Sequence, residues 1–429
     1  MMRVLLASAS ALALMTGAAF AAPGNNSEIV QADTGNLAEV DQDRSTNGSN
    51  SMIDQSGESN SATVLQRDDG SPVGSLHSND SMIVQSGIGN IALVTQRSVN
   101  ATDADAAQNY SSVDQSGDAN LADVTQRGQG STSFVMQSGS DGVATVTQLG
   151  RGQELSNITQ SESGQSATVF QNGVGDDASL TSTVNQSTGD GNLATVSQVG
   201  FAAGSLIDQV GNGNLADVQQ DSDDGGALDS VIGQTGDALQ ATVLQSGNFA
   251  TSTITQIDAE NIALVTQTSS DSGTLSSLID QSGELQDATV TQSGDTADSS
   301  IGQSGIGNIA VVTQVSLSGG ELASTVTQAD ESNSASVDQT GDGAVSSSID
   351  QAGLFNESVV VQNGAELESL IAQTGDTNLA MVSQSGEAKL SDIAQDGSGN
   401  SADVTQAWVA SATSTIMQSG AGNSAVVKQ

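Results

Sequence analysis

One short pattern recurs along the whole chain and restricts its fold more than any other feature. A Gln is followed eleven residues later by a second Gln, as in the nearly identical segments 85–96 and 303–314. The first Gln defines 17 repeats, spaced 22 to 30 residues apart. These first glutamines are Gln31, Gln55, Gln85, Gln115, Gln137, Gln160, Gln186, Gln209, Gln234, Gln256, Gln281, Gln303, Gln328, Gln351, Gln373, Gln395 and Gln418. A period of this length is typical of solenoids.

The spacing within a repeat predicts its conformation. Ile or Val precedes the first Gln by two residues in all 17 repeats, and Val precedes the second Gln by two in all 17. Ala precedes that Val by two in 16 repeats, with Ser358 in the other, and Asn lies two residues before this position in 13. The asparagines are Asn36, Asn60, Asn90, Asn120, Asn192, Asn214, Asn261, Asn308, Asn333, Asn356, Asn378, Asn400 and Asn423. A period of two indicates strands with these residues on one face.

A turn must separate the two runs of alternating residues. The first Gln and the Asn are five residues apart, an odd number, so one continuous strand would point them to opposite faces. The intervening residues are Ser-Gly-x-Gly in three repeats and Thr-Gly-Asp-x in two, which suits a turn. Each repeat is therefore predicted to be strand, turn, strand. A helix is disfavoured by the recurrent Gly, Val and Ile.

A single repeat cannot be stable alone. Burying two large aliphatic side chains and an Ala contributes roughly 4–6 kcal/mol, whereas ordering a strand residue costs about 1–2 kcal/mol. Stacked repeats pair every strand with its neighbours and align identical side chains in ladders, where buried Gln and Asn amides bond to their equivalents. The predicted fold is all-β, a β-solenoid of 17 stacked rungs with an amyloid-like cross-β arrangement. The first glutamines and the asparagines are the predicted stacking ladders.

Composition excludes several kinds of site and partner. The chain has 50 Asp and Glu against 8 Lys and Arg, a formal charge of −42, which opposes binding to nucleic acids and anionic membranes. With one His and no Cys, disulfides, thiolate zinc sites and multi-His metal sites are excluded. We expect no cofactor. The acidic residues are interpreted either as a solvated face or as ligands for weak calcium cross-linking.

The first 21 residues are typical of a Sec signal peptide. Arg3 precedes an apolar stretch over residues 4–14, and Ala19, Phe20 and Ala21 form a small-x-small cleavage pattern. We expect cleavage after Ala21, secretion of the mature chain, and a single repeat domain over residues 22–429.

These residues resemble the curlin repeat of curli, the amyloid fibres on the surface of certain Gram-negative bacteria. The curlin motif reads Ser, five residues, Gln-x-Gly, two residues, Asn-x-Ala, three residues, Gln. Every motif position is matched by Ser49, Gln55, Gly57, Asn60, Ala62 and Gln66. The resemblance implies an extracellular fibre subunit that leaves the cell through an outer-membrane pore. It also implies polymerisation on a nucleator subunit and a role in biofilm matrix, cell adhesion and surface attachment.

Other interpretations of the repeats remain. A monomeric β-solenoid could act as a surface adhesin or binding protein without polymerising. A β-helix enzyme acting on polysaccharide is disfavoured because no cluster of acid, base and cation recurs in one place, so we expect no enzyme activity. Arg67, Arg97 and Arg127 each follow a closing Gln, and alignment with neighbouring Asp residues is one interpretation of them. The repeat over 418–429 keeps the consensus, so we expect the stack to accept further molecules head-to-tail.

Overall fold

The fold is the predicted parallel β-solenoid, with about 16 turns. The computed structural model describes residues 25–43, 48–69, 79–99, 108–222, 226–407 and 410–429. The predicted signal peptide and its cleavage site after Ala21 lie outside these residues. Within the described ranges, no helix is long and apolar enough to cross a membrane. The all-β fold class predicted from the repeat spacing is confirmed.

The coils divide into two compact units. The N-terminal stack comprises the described residues up to 179 together with 184–187, and the C-terminal stack comprises 180–183 and 188–429. The two stacks are described separately below. A single domain over 22–429 stays a prediction.

The strands of the N-terminal stack are short, apart from β10. They are β1 (Asn26–Gln31), β2 (Leu37–Asp43), β3 (Asn50–Gln55), β4 (Ser61–Asp69), β5 (Asn79–Ile88), β6 (Ile91–Val99), β7 (Asn109–Asp118), β8 (Leu121–Gln129), β9 (Thr132–Gln137), β10 (Val143–Gln160) and β11 (Ser166–Gly173). Residues of β12 (Ala178–Ser187) are divided between the two stacks.

Several strands of the C-terminal stack are longer. They are β13 (Leu193–Gly200), β14 (Ala202–Val210), β15 (Leu215–Ser222), β16 (Leu228–Asp237), β17 (Gln240–Gly247), β18 (Ala250–Ala259), β19 (Ile262–Glu284), β20 (Asp287–Ile306), β21 (Ile309–Glu331), β22 (Ser334–Gly341), β23 (Val345–Leu354), β24 (Glu357–Asp376), β25 (Leu379–Ser398), β26 (Ser401–Gln406), β27 (Ala412–Ala421) and β28 (Ser424–Lys428).

Equivalent strands of successive repeats pair in parallel and in register. In the N-terminal stack, β5 pairs with β7 so that Gln85 lies beside Gln115. In the C-terminal stack, β19 pairs with β20 so that Gln281 lies beside Gln303. Within each stack, the first strands of the repeats form one face and the second strands form the other. Each column of side chains therefore holds the same repeat position, one rung after another.

The connections in the C-terminal stack differ from the expected loops. Strands β19, β20 and β21 contain 23, 20 and 23 residues and run from the second half of one repeat into the first half of the next. Register shifts between Ser269 and Thr274 and between Gly294 and Thr296 mark the bends. Short connections can stay extended because each one has an equivalent connection beside it to supply hydrogen bonds.

The core lies between the two faces and is built from the predicted columns. Ile53, Ala62 and Val64, which occupy the three apolar positions of one repeat, are all 0% exposed. The C-terminal stack has one further apolar column, six residues before the first Gln, which the sequence pattern did not predict. It contains Leu180, Ala203, Leu228, Ala250, Leu275, Ala297, Leu322, Val345 and Leu367.

The facing of the second strand can be tested at two adjacent residues. Val265 is 0% exposed and lies between Val243 and Val290 of the neighbouring repeats, whereas the next side chain, Thr266, is only half-buried. Val265→Asp places a charge in an apolar column, and we expect a loss of about 3 kcal/mol or more. Thr266→Asp should change stability by less than about 0.5 kcal/mol. Thermal unfolding measures both variants, and equal effects would contradict the assignment of faces.

Candidate functional site

The first glutamines form continuous hydrogen-bonded ladders. In the N-terminal stack, six successive Nε2–Oε1 bonds of 2.7–2.8 Å join Gln31 through to Gln186. In the C-terminal stack, nine such bonds of 2.8–2.9 Å join Gln209 through to Gln418. Each interior Gln thus accepts a hydrogen bond from one neighbour and donates one to the next.

The second glutamines form parallel ladders of the same kind. Five bonds of 2.8–2.9 Å join Gln42 through to Gln171 in the N-terminal stack. Ten bonds of 2.8–3.1 Å join Gln198 through to Gln429 in the C-terminal stack. Most of these side chains are buried, so the ladder bonds satisfy amides that would otherwise be costly to bury.

The glutamines from Gln42 onwards also bind the opposite face of their stack. Gln281 Nε2 donates to Gln303 Oε1 at 2.9 Å. It also donates at 2.9 Å to the backbone oxygen of Ile262, which lies in the second-strand part of β19 on the opposite face. Gln66 Nε2 donates to Gln96 Oε1 and to the backbone oxygen of Asn50, on a first strand. A primary amide has two hydrogens to donate, and the ladder and the crossing bond use both. The glutamines therefore join the rungs vertically and the two faces horizontally.

The asparagines stabilise the turn through bonds to the backbone. From Asn308 to Asn423 they also form the predicted ladder, in which Nδ2 of each Asn donates to Oδ1 of the preceding one at 2.8–3.2 Å. Asn60 Nδ2 donates to the backbone oxygen of Ser56 at 2.8 Å, in its own turn, and to that of Gly87 at 3.1 Å, in the next. Asn60 Oδ1 accepts the backbone N–H of Asn90 at 2.9 Å. One side chain thus closes its own turn and holds the turn of the next repeat.

Repeats without this Asn keep part of the arrangement. Gln286 Nε2 donates to the backbone oxygens of Ser282 and Gly305, which are the equivalent acceptors. Leu239 and Gly142 have no side-chain amide, but their backbone N–H groups still donate to the Oδ1 of the Asn in the preceding repeat. A missing Asn therefore weakens one turn without interrupting the stack.

Glycine lies two residues after the first Gln in 12 of the 17 repeats, where the turns of neighbouring repeats approach closely. Gly283 has φ 107°, and a Cβ there would lie 2.1 Å from the backbone oxygen of Gly305. Where Asp258 replaces this Gly, φ is 78° and its carboxylate accepts the N–H of Gly283 at 3.0 Å. Asp33 and Asp330 bind the next glycine in the same way.

A column of serines was missed in the sequence pattern. Ser lies four residues before the first Gln in all 17 repeats, and it is buried in every repeat but the first. In nine of them the hydroxyl makes no hydrogen bond within the described part of the chain: Ser51, Ser156, Ser182, Ser205, Ser230, Ser252, Ser277, Ser299 and Ser369. The signal that could have found this column is its invariance together with its even spacing from the Gln.

Two charged residues are buried among the described residues, Glu154 and Lys389. Both lie six residues before the first Gln, where neighbouring repeats carry Asn, Ser or an apolar residue. Glu154 Oε2 accepts the hydroxyl of Ser131 at 2.7 Å, and Oε1 accepts the N–H of Gly173 at 2.8 Å. Burial raises the pKa of Glu154 above its ordinary value of 4.5, although these two hydrogen bonds oppose the shift.

Three other carboxyl groups have shifted pKa values. Partial burial raises the pKa of Asp123 and of Asp287 above the ordinary value of 3.8. The pKa of Asp237 is lowered, because the backbone N–H and the side-chain amide of Asn212 both donate to its carboxylate. The upward shifts come from loss of water around the carboxyl groups.

The outer surface has no metal-binding cluster within the described ranges, where no three His, Cys, Asp or Glu residues come together. It does align arginines. Arg67 lies in register with Arg97, and Arg97 with Arg127, so these three form a column of like charges. Asp43 lies in register with Arg67 at one end of that column.

The need for glycine at the turn can be tested with a matched pair of substitutions. Gly283→Ala should destabilise the protein by about 2 kcal/mol or more, because of its positive φ and the approach of the Gly305 oxygen. Gly302 lies on the outer side of a first strand, where a Cβ would meet open space and φ is not left-handed. Gly302→Ala should therefore be neutral or slightly stabilising. Urea unfolding measures the free energy of unfolding of the two variants. A similar loss of stability in both would contradict the argument from close approach of the turns.

The buried Glu154 predicts a pH dependence of stability. Because its folded pKa is raised, its charged form is disfavoured in the fold, so stability is highest below the ordinary value of 4.5 and falls as pH rises through the folded pKa. Glu154→Gln should remove this dependence, and thermal midpoints from pH 4 to 8 measure it. The thermal midpoint of the variant should therefore rise relative to that of the wild type as pH increases.

The substitution Asp237→Asn is a control, because the pH dependence that it removes has the opposite sign to that of Glu154. The lowered pKa of Asp237 contributes stability above its ordinary value of 3.8 that is lost as pH falls. The wild type should therefore lose its advantage over this variant as pH falls below 3.8, so the thermal midpoints of this pair are also measured below pH 4. Parallel pH profiles for the two variants would exclude burial as the origin of the Glu154 effect.

The comparisons with known proteins agree with this geometry. The curlin associated repeat family matches residues 117–150, 189–221 and 375–407. Each match contains the second strand of one repeat and both strands of the next, with their glutamines. No curated protein matches the chain. Repeat family and fold together point to a structural protein, not an enzyme. The chain therefore contains repeats of the curlin associated repeat family.

Proposed function

We propose that this protein is a secreted structural subunit that polymerises into curli-like extracellular fibres. The fibres would lie on the surface of a Gram-negative bacterium and serve in biofilm matrix, cell adhesion and surface attachment. The curlin associated repeats support this function. The observation that carries it is the unbroken glutamine ladder within each stack.

The ladder supports polymerisation because the two sides of a repeat are equivalent. Gln281 accepts from Gln256 on one side and donates to Gln303 on the other, with 2.9 Å for both bonds. The backbone of each strand likewise pairs with an equivalent strand on both sides. A repeat from a second molecule can therefore supply the same bonds as a repeat of the same chain, and head-to-tail growth needs no new contact chemistry.

The family resemblance extends the proposal to other partners. These are an outer-membrane secretion pore and a nucleator subunit on which polymerisation begins. Weak calcium cross-linking of the acidic outer surface stays an alternative to a purely solvated face.

Incubation of purified protein comprising residues 22–429 tests the proposal. We expect unbranched fibres by electron microscopy, with a diffraction spacing of about 4.7–4.8 Å along the fibre axis. The Gly283→Ala variant, whose turn cannot stack closely, should form fibres more slowly. Wild-type protein that remains monomeric for weeks at high concentration would instead favour a monomeric β-solenoid adhesin.

A further inference from the structure

The first repeat of the N-terminal stack and the last repeat of the C-terminal stack have the two extreme charges among the 17 repeats. The charge of each repeat is compared from five residues before the first Gln to the second Gln. In the last repeat, residues 413–429, this segment contains Lys428 and no Asp or Glu, a side-chain charge of +1. Each of the fifteen interior repeats has one to three acidic residues and no Lys or Arg in this segment. The first repeat, residues 26–42, has a charge of −4, from Glu28, Asp33, Glu39 and Asp41.

Each of these two repeats has one open edge. In the first repeat, β1 pairs with β3 and β2 with β4, and Ile29 is 44% exposed, whereas its equivalent Ile53 is 0% exposed. In the last repeat, β27 pairs with β25 and β28 with β26. Val427 is half-buried there, whereas Val404 beside it is 0% exposed. The core columns therefore reach the surface at the edge of β1 and β2, here termed the acidic edge, and at the edge of β27 and β28, here termed the basic edge.

The register within the stacks shows which residues would meet if the basic edge of one copy joined the acidic edge of another. Neighbouring repeats place each residue beside the residue at the same repeat position, as Thr405 beside Lys428. By the same rule Val427 would cover Val40, since both lie two residues before the second Gln. Lys428 would lie beside Asp41, since both lie one residue before it.

The geometry allows an ion pair at that position. Lys428 and Asp41 are both exposed and point away from the core, and paired strands lie about 4.8 Å apart. Glu39 is exposed on the same outward side of β2, two residues along. The ammonium group of Lys428 can therefore reach the Asp41 carboxylate, with that of Glu39 close by.

We propose that the basic edge of one molecule docks on the acidic edge of a second copy, with Lys428 paired to Asp41, and that the charge difference orients the two molecules as they meet. Copies of a chain with a formal charge of −42 repel one another, and the basic edge belongs to the repeat that has no acidic side chain. A single exposed ion pair adds little affinity. Complementary charge instead raises the association rate and disfavours wrong pairings. The inference rests on the proposed function and adds what selects the joint.

Seeded elongation at low salt, followed by thioflavin fluorescence, tests the charge of the basic edge. Lys428→Glu should slow elongation about fivefold or more, because it places a carboxylate against the acidic edge. The matched control Arg127→Glu changes the net charge by the same amount on an exposed site within the N-terminal stack, and should stay within about twofold of wild type. Sodium chloride at about 0.5 M should remove most of the difference, because it screens exposed charges.

Charge exchange tests the pair itself. Asp41→Lys should elongate more slowly than the control Asp338→Lys, which makes the same change at the equivalent exposed position of an interior repeat. The double variant D41K/K428E again places opposite charges beside each other, and its rate should return to within about twofold of wild type. A double variant as slow as Lys428→Glu alone would overturn the proposal.

A cross-link locates the joint independently of rates. The chain has no Cys, and a disulfide needs Cα atoms about 4.4–6.8 Å apart, a range that includes residues in register on neighbouring strands. Oxidised fibres of the variant D41C/K428C should therefore give covalent multimers on denaturing gels. The control E28C/K428C should give monomers, because Glu28 lies on the first strand of its repeat. Fibres without multimers in the first variant, or with equal amounts in both, would overturn the proposal.

The outcomes separate this inference from the proposed function. Fibres that form and elongate regardless of these charges, with no cross-link between positions 41 and 428, would overturn the inference and leave the proposed function standing. Absence of fibres from wild-type protein would overturn both.

Discussion

The hydrogen bond from one buried glutamine amide to the next is the interaction on which the rest of the structure depends. A carboxamide carries a donor and an acceptor, so it can be its own partner in an unlimited parallel row. Carboxylates and ammonium groups cannot, since each has only one kind of group. The ladder fixes the register of both strands, and register places the apolar columns in the core and the turns above one another. The crossing bonds to the opposite backbone, as at Gln281, hold the two faces together.

Much of this architecture could be predicted because its determinants are local and periodic. The alternation of residue types with a period of two predicted that Val265 faces the core and Thr266 faces outward. The odd number of residues between the first Gln and the Asn predicted a turn between the two strands. The partners of the asparagines were less predictable, because a side chain such as Asn60 chooses backbone groups whose positions depend on the turn of the next repeat. The alignment of Arg67 with Arg97 and Arg127, and of Asp43 with this column, depends on which repeats are neighbours.

Two interior columns escaped the sequence pattern for different reasons. Ser277 and its equivalents are invariant, but serine is common on surfaces and in turns, so its presence gives no indication of burial. The column that includes Glu154 and Leu275 changes from polar to apolar along the chain, and no single residue type marks it. This column accepts both polar and apolar residues because it lies near the edge of the strand pair. There a buried carboxylate can reach a backbone N–H at a strand end, such as that of Gly173 in β11.

The equivalence of the two sides of every repeat also bears on inheritance. Removing a whole repeat from the gene brings together two neighbours whose glutamines, asparagines and glycines already match, and duplicating one inserts a rung that fits above and below. The connections vary in length while the strands keep their spacing, so the crossover point need not be precise. Recombination between repeats can therefore lengthen or shorten the protein by whole rungs in one step, and copy number becomes a trait that selection can adjust without redesigning any contact.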